Sequence, residues 1–136
     1  KHIDEANSKI EKDKILDIIR TEPKQFQLVL YSIIQLVHKG KNPQMALGKE
    51  EGKRSEAMFT GDVYNYYNIL CQKNKMEVLT QRRVSDIIQE FDMLGIINVK
   101  VISKGRGGRM REITLAISDN IAEKAKEIIE TSLQYG

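Results

Sequence analysis

The sequence of 136 residues has one cysteine, no tryptophan and no long apolar segment. Its single cysteine, Cys71, excludes a disulfide within the chain and a zinc site built from several cysteines. Because Cys71 follows Ile69 and Leu70, we expect a buried, unreactive thiol in a protein from a reducing compartment. No apolar run approaches the roughly 18 residues of a membrane-spanning helix, and the polar N-terminus carries no secretory pattern. The chain also lacks an initiating Met, so we expect a piece of a longer protein.

Residues suited to catalysis are equally scarce. The two histidines, His2 and His38, lie far apart in the sequence, and no pair of carboxylates falls on an evidently buried face. The glycine-rich residues 105–108 lack the Gly-Lys-Ser/Thr ending of a nucleotide-binding loop, and they are expected to join two strands rather than a strand and a helix. We therefore expect a non-catalytic chain that binds no metal and no cofactor of its own.

The overall composition is that of an ordinary globular protein, with 40% hydrophobic and 30% charged residues, and the length predicts one domain over residues 1–136. The formal net charge of +3 is too small to indicate a nucleic-acid partner by itself. Between Thr80 and Arg111, however, there are seven basic and three acidic residues, so this segment alone carries +4. The positive charge is therefore local, which is the property that matters for an anionic partner.

Helical periodicity predicts five helices, separated by stop residues or by a change of period. They are predicted over residues 5–20, 23–40, 60–73, 81–94 and about 119–134. Thr60 and Thr80 are expected to cap the third and fourth helices, and either Ser118 or Asp119 the fifth. Gly95 is expected to end the fourth helix.

Residues 40–58 differ in composition from the helices on either side. Glycine and proline are mixed with lysine and glutamate, and Gly40 is expected to end the second helix. Such a composition predicts a long mobile insertion, for which a solvated loop is favoured over a binding element.

Residues 96–117 are predicted to form a β-hairpin. Ile97, Val99 and Val101 alternate with polar residues, and the same alternation returns at Ile113 and Leu115. A short glycine-rich turn joins the two strands. A helix pair followed by a two-stranded hairpin is the arrangement of a winged helix-turn-helix, so we predict an α+β, mainly α, fold with flanking helices.

The polar face of the fourth helix is the first candidate binding surface. The side opposite its apolar stripe is expected to carry Arg82, Asp86 and Gln89, with Arg83 and Ser85 beside them. An arginine can bind guanine through two hydrogen bonds, and a glutamine can do the same with adenine. A solvated helix face with an Arg82–Asp86 ion pair explains these residues equally well, so this helix alone does not indicate DNA binding.

The turn of the hairpin is the second and more informative candidate. Four basic residues, Lys104, Arg106, Arg109 and Arg111, occur with no acidic residue between them, and three glycines let the backbone approach a surface closely. Flexible glycines and neighbouring positive charges both disfavour folding, so stability does not explain this composition. An anionic partner does explain it, and arginine on a thin ribbon suits the negative potential of the DNA minor groove.

Over about residues 3–130 the sequence resembles the C-terminal winged-helix domain of archaeal origin-recognition/cell-division-control initiator proteins, which are related to the largest subunit of the eukaryotic origin recognition complex. The resemblance rests on TGDVY at 60–64, LTQRRVSDII at 79–88, DMLGII at 92–97 and GRGGR at 105–109. The insertion at 40–58 is longer than the family pattern, and Gly107 stands where a bulkier residue is common. The resemblance implies an archaeal DNA replication protein that binds double-stranded origin DNA, with the recognition helix in the major groove and the wing in the minor groove.

The DNA-binding residues that these observations predict are Thr80, Gln81, Arg82, Arg83, Ser85, Gln89, Lys104, Arg106, Gly107, Gly108, Arg109 and Arg111. The resemblance further implies a separate AAA-plus ATPase domain, absent from this chain, that would bind ATP or ADP and Mg. It also implies a replicative helicase or a sister initiator as a partner, no membrane contact, a monomeric fragment, and a cytoplasmic, nucleoid-associated protein. Two alternatives stay open: a winged-helix module that contacts the ATPase domain or a helicase, and a winged-helix transcription regulator.

Overall fold

The structure is a computed structural model that describes residues 2–41, 58–103 and 109–135, with side chains described within 12–38, 58–102 and 110–133. Its elements follow the predicted order of helices and hairpin, so the prediction of a mainly helical winged helix-turn-helix is confirmed. They are α1 (His2–Thr21), α2 (Lys24–Lys41), β1 (Met58–Phe59), α3 (Thr60–Lys73), α4 (Gln81–Met93), β2 (Ile97–Ser103), β3 (Arg109–Leu115) and α5 (Asp119–Tyr135).

The sheet has one strand more than the hairpin that the sequence predicts. Strands β2 and β3 pair antiparallel from Ile97 opposite Leu115 to Ser103 opposite Arg109. The short strand β1 pairs with the other edge of β3, which gives the order β1-β3-β2. Two residues are too few to show strand alternation, so only the contact with β3 makes this segment a strand. Its first residue, Met58, is the last residue of the predicted insertion. Residues 42–57 of that insertion lie outside the described residues.

The start of α3 corrects one sequence prediction. Phe59, not Thr60, is the N-cap residue, with extended dihedrals of φ −111° and ψ 163°, and Thr60 is the first helical residue. Pairing of β1 with β3 keeps Phe59 extended, and the Asp62 carboxylate accepts a hydrogen bond from the Phe59 N–H at 3.0 Å. An acid in the first helical turn therefore satisfies the N–H of the cap residue itself. A threonine cap would instead have accepted from an N–H two or three residues into the helix.

Other helix ends are closer to expectation. The Ser118 hydroxyl accepts from the Ile121 N–H at 3.3 Å, so Ser118 rather than Asp119 caps α5. Gly95 follows α4 with φ +82°, a left-handed conformation that glycine adopts without strain. Helix α2 continues through Gly40 to Lys41, one residue beyond the predicted stop.

The hydrophobic core is built around α2, which packs against α3, α4 and α5. Leu28, Val29, Leu30, Ile33 and Ile34 are all buried, so α2 is enclosed on most of its circumference. Helices α1 and α5 pack against each other beside it, and α4 also contacts β2. Helix α4 and the hairpin are thus anchored to the same core.

The turn between α3 and α4 is held by hydrogen bonds from three side chains, Gln25, Tyr64 and Tyr67. We call these three side chains the turn clamp. The buried Tyr67 hydroxyl donates to Gln25 Oε1 at 2.6 Å and accepts from the Leu79 N–H at 3.0 Å. Gln25 Nε2 donates to the Glu77 carbonyl at 2.8 Å, and the Tyr64 hydroxyl donates to the Leu79 carbonyl at 2.8 Å. Burial raises the pKa of the Tyr67 hydroxyl well above its ordinary value, so it stays protonated and able to donate.

Replacing Tyr67 with phenylalanine tests the turn clamp. Tyr67→Phe keeps the ring but removes both hydroxyl hydrogen bonds and leaves the Leu79 N–H without its partner, so we expect a loss of about 1–3 kcal/mol in the free energy of unfolding, measured with urea. The matched control is Tyr31→Phe, because the Tyr31 hydroxyl bonds the exposed Glu130 carboxylate at 2.7 Å, where water can replace it. Equal losses for the two variants would contradict the role given to the turn clamp.

Candidate nucleic-acid interface

Helix α4 buries one side and exposes the other, as its periodicity predicts. Val84, Ile87, Ile88 and Phe91 are buried in the core. On the exposed side lie the side chains of Arg82, Gln81, Asp86, Gln89 and Met93, the last with 78% of its surface accessible. The Arg82–Asp86 ion pair, which the sequence allowed as an alternative explanation, is not formed, since no N–O distance of 4.0 Å or less joins these two described residues. Both charged groups are therefore available to a ligand.

The start of α4 is set by Thr80. The Thr80 hydroxyl accepts a hydrogen bond from the Arg83 N–H at 3.2 Å, which confirms the predicted cap. Thr80 directly follows Leu79, the residue whose N–H and carbonyl the turn clamp binds. The structure therefore gives Thr80 a structural role, and the first turn of α4 is fixed relative to α2 and α3.

One flank of α4 faces α2. The Arg83 guanidinium lies 5.9 Å from the centre of the Phe26 ring, which in turn packs edge-on against Phe91 at 6.1 Å. Burial, and then the nearby Glu90 carboxylate, raise the pKa of the Glu22 carboxyl on this flank. Arg83 thus contributes a cation–π contact to Phe26, a setting that differs from that of Arg82.

The other flank of α4 faces β3 across an open cleft of about 580 Å³. The cleft brings together the start of α3, the exposed side of α4 and the beginning of β3, three segments that the sequence separates. Its lining residues are Phe59, Thr60, Gly61, Asp62, Arg82, Ser85, Asp86, Met110 and Arg111. Arginines from the helix and from the hairpin thus line one concave surface, and two carboxylates line it as well. We call it the helix–wing cleft.

The hairpin projects away from the core beyond this cleft. Ile97, Val99 and Val101 lie on one face of β2 because side chains alternate along a strand. Ile97 is fully buried, whereas Val101 is 58% exposed opposite the exposed Arg111. The strands therefore leave the body as they approach the glycine-rich turn. Arg109 pairs with Ser103 through its backbone.

The structure brings only some of the predicted DNA-binding residues together. Arg82, Ser85 and Arg111 meet in the helix–wing cleft, whereas Gln81 and Gln89 are exposed on α4 without lining it, and Arg83 lies on the opposite flank. A remaining group falls outside the described residues: Lys104, Arg106, Gly107 and Gly108 entirely, and Arg109 in its side chain.

Sequence reasoning left some cleft residues unassigned. The start of α3 and Met110 were not proposed as site residues, because only the pairing of β1 with β3 brings Thr60, Gly61 and Asp62 beside α4. A signal for them existed, since residues 60–64 form one of the segments that resemble the initiator family. The sequence places Asp86 on the polar face of α4 and offers it only the alternative ion pair with Arg82, which is not formed between these described residues.

Other kinds of site find no support in the described ranges. No group of three or more His, Cys, Asp and Glu side chains among residues 12–38, 58–102 and 110–133 is arranged to hold a metal ion. None of the described helices is both long enough and apolar enough to pass through a bilayer. Cys71 is fully buried, which confirms the expected burial. Burial raises the pKa of its thiol, which disfavours the reactive thiolate.

Comparison with known proteins identifies the same fold. Residues 17–125 match the family described as CDC6, C terminal winged helix domain. The chain is 46% identical over 116 residues to the ORC1-type DNA replication protein 1 of Methanosarcina mazei, covering 85% of this chain and 25% of that relative. It is 45% identical over 118 residues to the ORC1-type DNA replication protein of Pyrococcus furiosus, covering 87% and 25%. The chain therefore spans about a quarter of the length of these curated relatives.

Solved structures that are similar to the chain include the following two. The Orc1 protein of Aeropyrum pernix, solved in complex with DNA, aligns with a TM-score of 0.75 and 34% identity over 98% of this chain and 31% of that one. Cdc6p of Pyrobaculum aerophilum aligns with a TM-score of 0.61 and 14% identity, over 87% and 26%, and shows the fold alone.

The cap of α4 can be tested without any ligand. Thr80→Ala removes the oxygen that accepts from the Arg83 N–H, so we expect the free energy of unfolding in urea to fall by about 1 kcal/mol. Thr80→Ser keeps the hydroxyl and should recover most of this loss. If serine destabilises as much as alanine, the methyl packing of Thr80 rather than its hydrogen bond matters.

Proposed function

The chain belongs to the family of CDC6 C-terminal winged-helix domains, and on that basis we propose that it binds double-stranded DNA at a replication origin. In this proposal the exposed side of α4 enters the major groove and the turn of the hairpin enters the adjacent minor groove. The observation that carries the proposal is the helix–wing cleft, in which Arg82 and Arg111 converge from separate elements. The relative of known structure that was solved with DNA supports it.

Helix α4 and the hairpin have different roles in DNA binding under this proposal. Arg82 and Gln89 project from α4 and can form paired hydrogen bonds to guanine and adenine, respectively, so the helix supplies sequence preference. Arg111 and the basic turn residues Arg106 and Arg109 meet the phosphate backbone and the negative potential of the minor groove, so the hairpin supplies affinity and register. Ser85 lies in the cleft between them and can bind a phosphate or a base edge.

Three further residues of the predicted site have smaller roles in this proposal. Gln81, exposed in the first turn of α4, can donate to a phosphate beside the helix N-terminus, while Thr80 acts through the cap. Arg83, held over Phe26, serves as a peripheral positive charge rather than a base contact.

Functions of the longer protein are part of the same proposal. The curated relatives are about four times as long as the matched segment, and we assign to their additional length an AAA-plus ATPase that binds ATP or ADP and Mg. The winged-helix domain then needs no cofactor and binds DNA as a monomer. A replicative helicase or a sister initiator is the proposed protein partner, and the cytoplasmic nucleoid is the proposed location.

Removing the basic residues of the hairpin turn tests the affinity role. The double variant Arg106→Ala/Arg109→Ala should weaken binding to origin and scrambled duplexes alike, and reduce the log–log slope of affinity against salt by about 0.9 per lost phosphate contact. Titrations at several salt concentrations measure both. Arg20→Ala removes an exposed charge of the same kind from α1, and should change neither the affinity nor the slope. Unchanged binding by the double variant would contradict the proposal and favour a protein-interaction module.

Removing the α4 arginine tests the sequence-preference role. Arg82→Ala should weaken the binding free energy for the preferred duplex by about 1–3 kcal/mol, because a base contact is lost. The binding free energy for a scrambled duplex should change much less. Competition between the two duplexes measures the ratio directly. Arg83→Ala is the control on the opposite flank, and an equal loss of discrimination there would contradict the assignment of the two flanks.

A further inference from the structure

Asp86 is a carboxylate on the surface where the proposed function places DNA. It lies one helical turn after Arg82 on the exposed side of α4, and both line the helix–wing cleft opposite Arg111. Every phosphate that enters this cleft is repelled by Asp86. General attraction of DNA therefore does not account for an acid at this position.

The structure explains the other acid of the cleft but not Asp86. Asp62 accepts the Phe59 N–H at 3.0 Å and so completes the N-terminus of α3. Asp86 makes no hydrogen bond and no ion pair with any residue whose side chain the structure describes, although Arg82 is within reach along the helix. Its carboxylate is thus exposed and keeps its capacity to accept hydrogen bonds.

The major groove offers an ionised carboxylate few partners. Guanine presents two acceptors there, and thymine presents an acceptor and a methyl group, so both repel or fail to bind an acceptor. Adenine presents an amino donor, but its N7 acceptor lies directly beside it. Cytosine presents its 4-amino donor without a neighbouring acceptor on the same base, and is therefore the base that suits a carboxylate best.

We propose that Asp86 determines specificity by accepting a hydrogen bond from the 4-amino group of a cytosine in the major groove. The inference rests on the proposed DNA binding, and it adds both a preferred base and a penalty for wrong ones. At a cytosine the carboxylate gains a donor, whereas at any other base it is left desolvated beside acceptors and phosphates. Asp86 thereby lowers affinity for most sequences while favouring a few.

The test selects bound duplexes from a pool with a randomised centre and compares their sequences for wild type, Asp86→Asn, Asp86→Glu and Glu90→Gln. Wild type should enrich cytosine at one position by roughly 10-fold over the other bases. Asp86→Asn should lose that enrichment and gain adenine there, because asparagine pairs with the N6 and N7 of adenine. Asp86→Glu keeps an acceptor and should retain cytosine.

Glu90→Gln is the matched control, since it makes the same charge change on the same helix but on the flank that faces Glu22. Glu90→Gln should leave the base preference unaltered. Asp86→Asn should bind the unselected pool more tightly than Glu90→Gln does. Asp86→Asn should unfold in urea at the same concentration as wild type, because no described residue depends on the carboxylate.

The outcomes separate the two proposals. If wild type binds duplexes and Asp86→Asn keeps the cytosine, or if Glu90→Gln alters the preference equally, Asp86 acts only through general charge and the inference is overturned while DNA binding stands. Wild-type binding with no base preference also overturns the inference alone. Absence of duplex binding by wild type overturns the proposed function together with the inference.

Discussion

The buried hydroxyl of Tyr67 is the contact on which the position of the recognition helix depends. It joins α2, through Gln25, to the turn before α4, through the Leu79 N–H. Backbone groups in a turn between two packed helices lose water, so each must find a partner or cost roughly 1–3 kcal/mol. Because Tyr67, Tyr64 and Gln25 supply those partners, the turn has one conformation, and Thr80 begins α4 at one place relative to the core.

The second constraint is the pairing of β1 with β3. Although β1 contains only Met58 and Phe59, it ties the start of α3 to the same strand that carries Arg111. Helix α3, helix α4 and the hairpin therefore meet around the helix–wing cleft, and none of them can shift without disturbing another. A cleft built in this way is preorganised, so less conformational entropy is lost from its side chains and backbone when a ligand binds.

The charges around α4 are unevenly distributed between its two flanks. The flank facing the hairpin combines Arg82 and Arg111 with the unpaired Asp86, whereas the flank facing α2 combines Arg83 with Phe26, Glu22 and Glu90. Long-range attraction of a polyanion needs only the positive residues. In the proposed complex the acid on the hairpin side adds selectivity instead, because a carboxylate finds far fewer hydrogen-bond donors in a DNA groove than an arginine finds acceptors. Affinity and discrimination are thus assigned to different residues of one surface.

The sequence by itself determined the periodic elements and their chemistry. Apolar spacing located α4 and its exposed side, Thr80 and Gly95 located its ends, and strand alternation with glycine located the hairpin, because these signals are local and repeat along the chain. Tertiary structure decided what has no local signal. Strand β1 is too short to show a period, and Phe59 became the cap of α3 because pairing with β3 holds it extended. Arg82 and Arg83 are adjacent in the sequence and look equivalent there, yet the 100° between successive helical residues sends one to the cleft and the other to Phe26 once the packing of α2 against α4 is set.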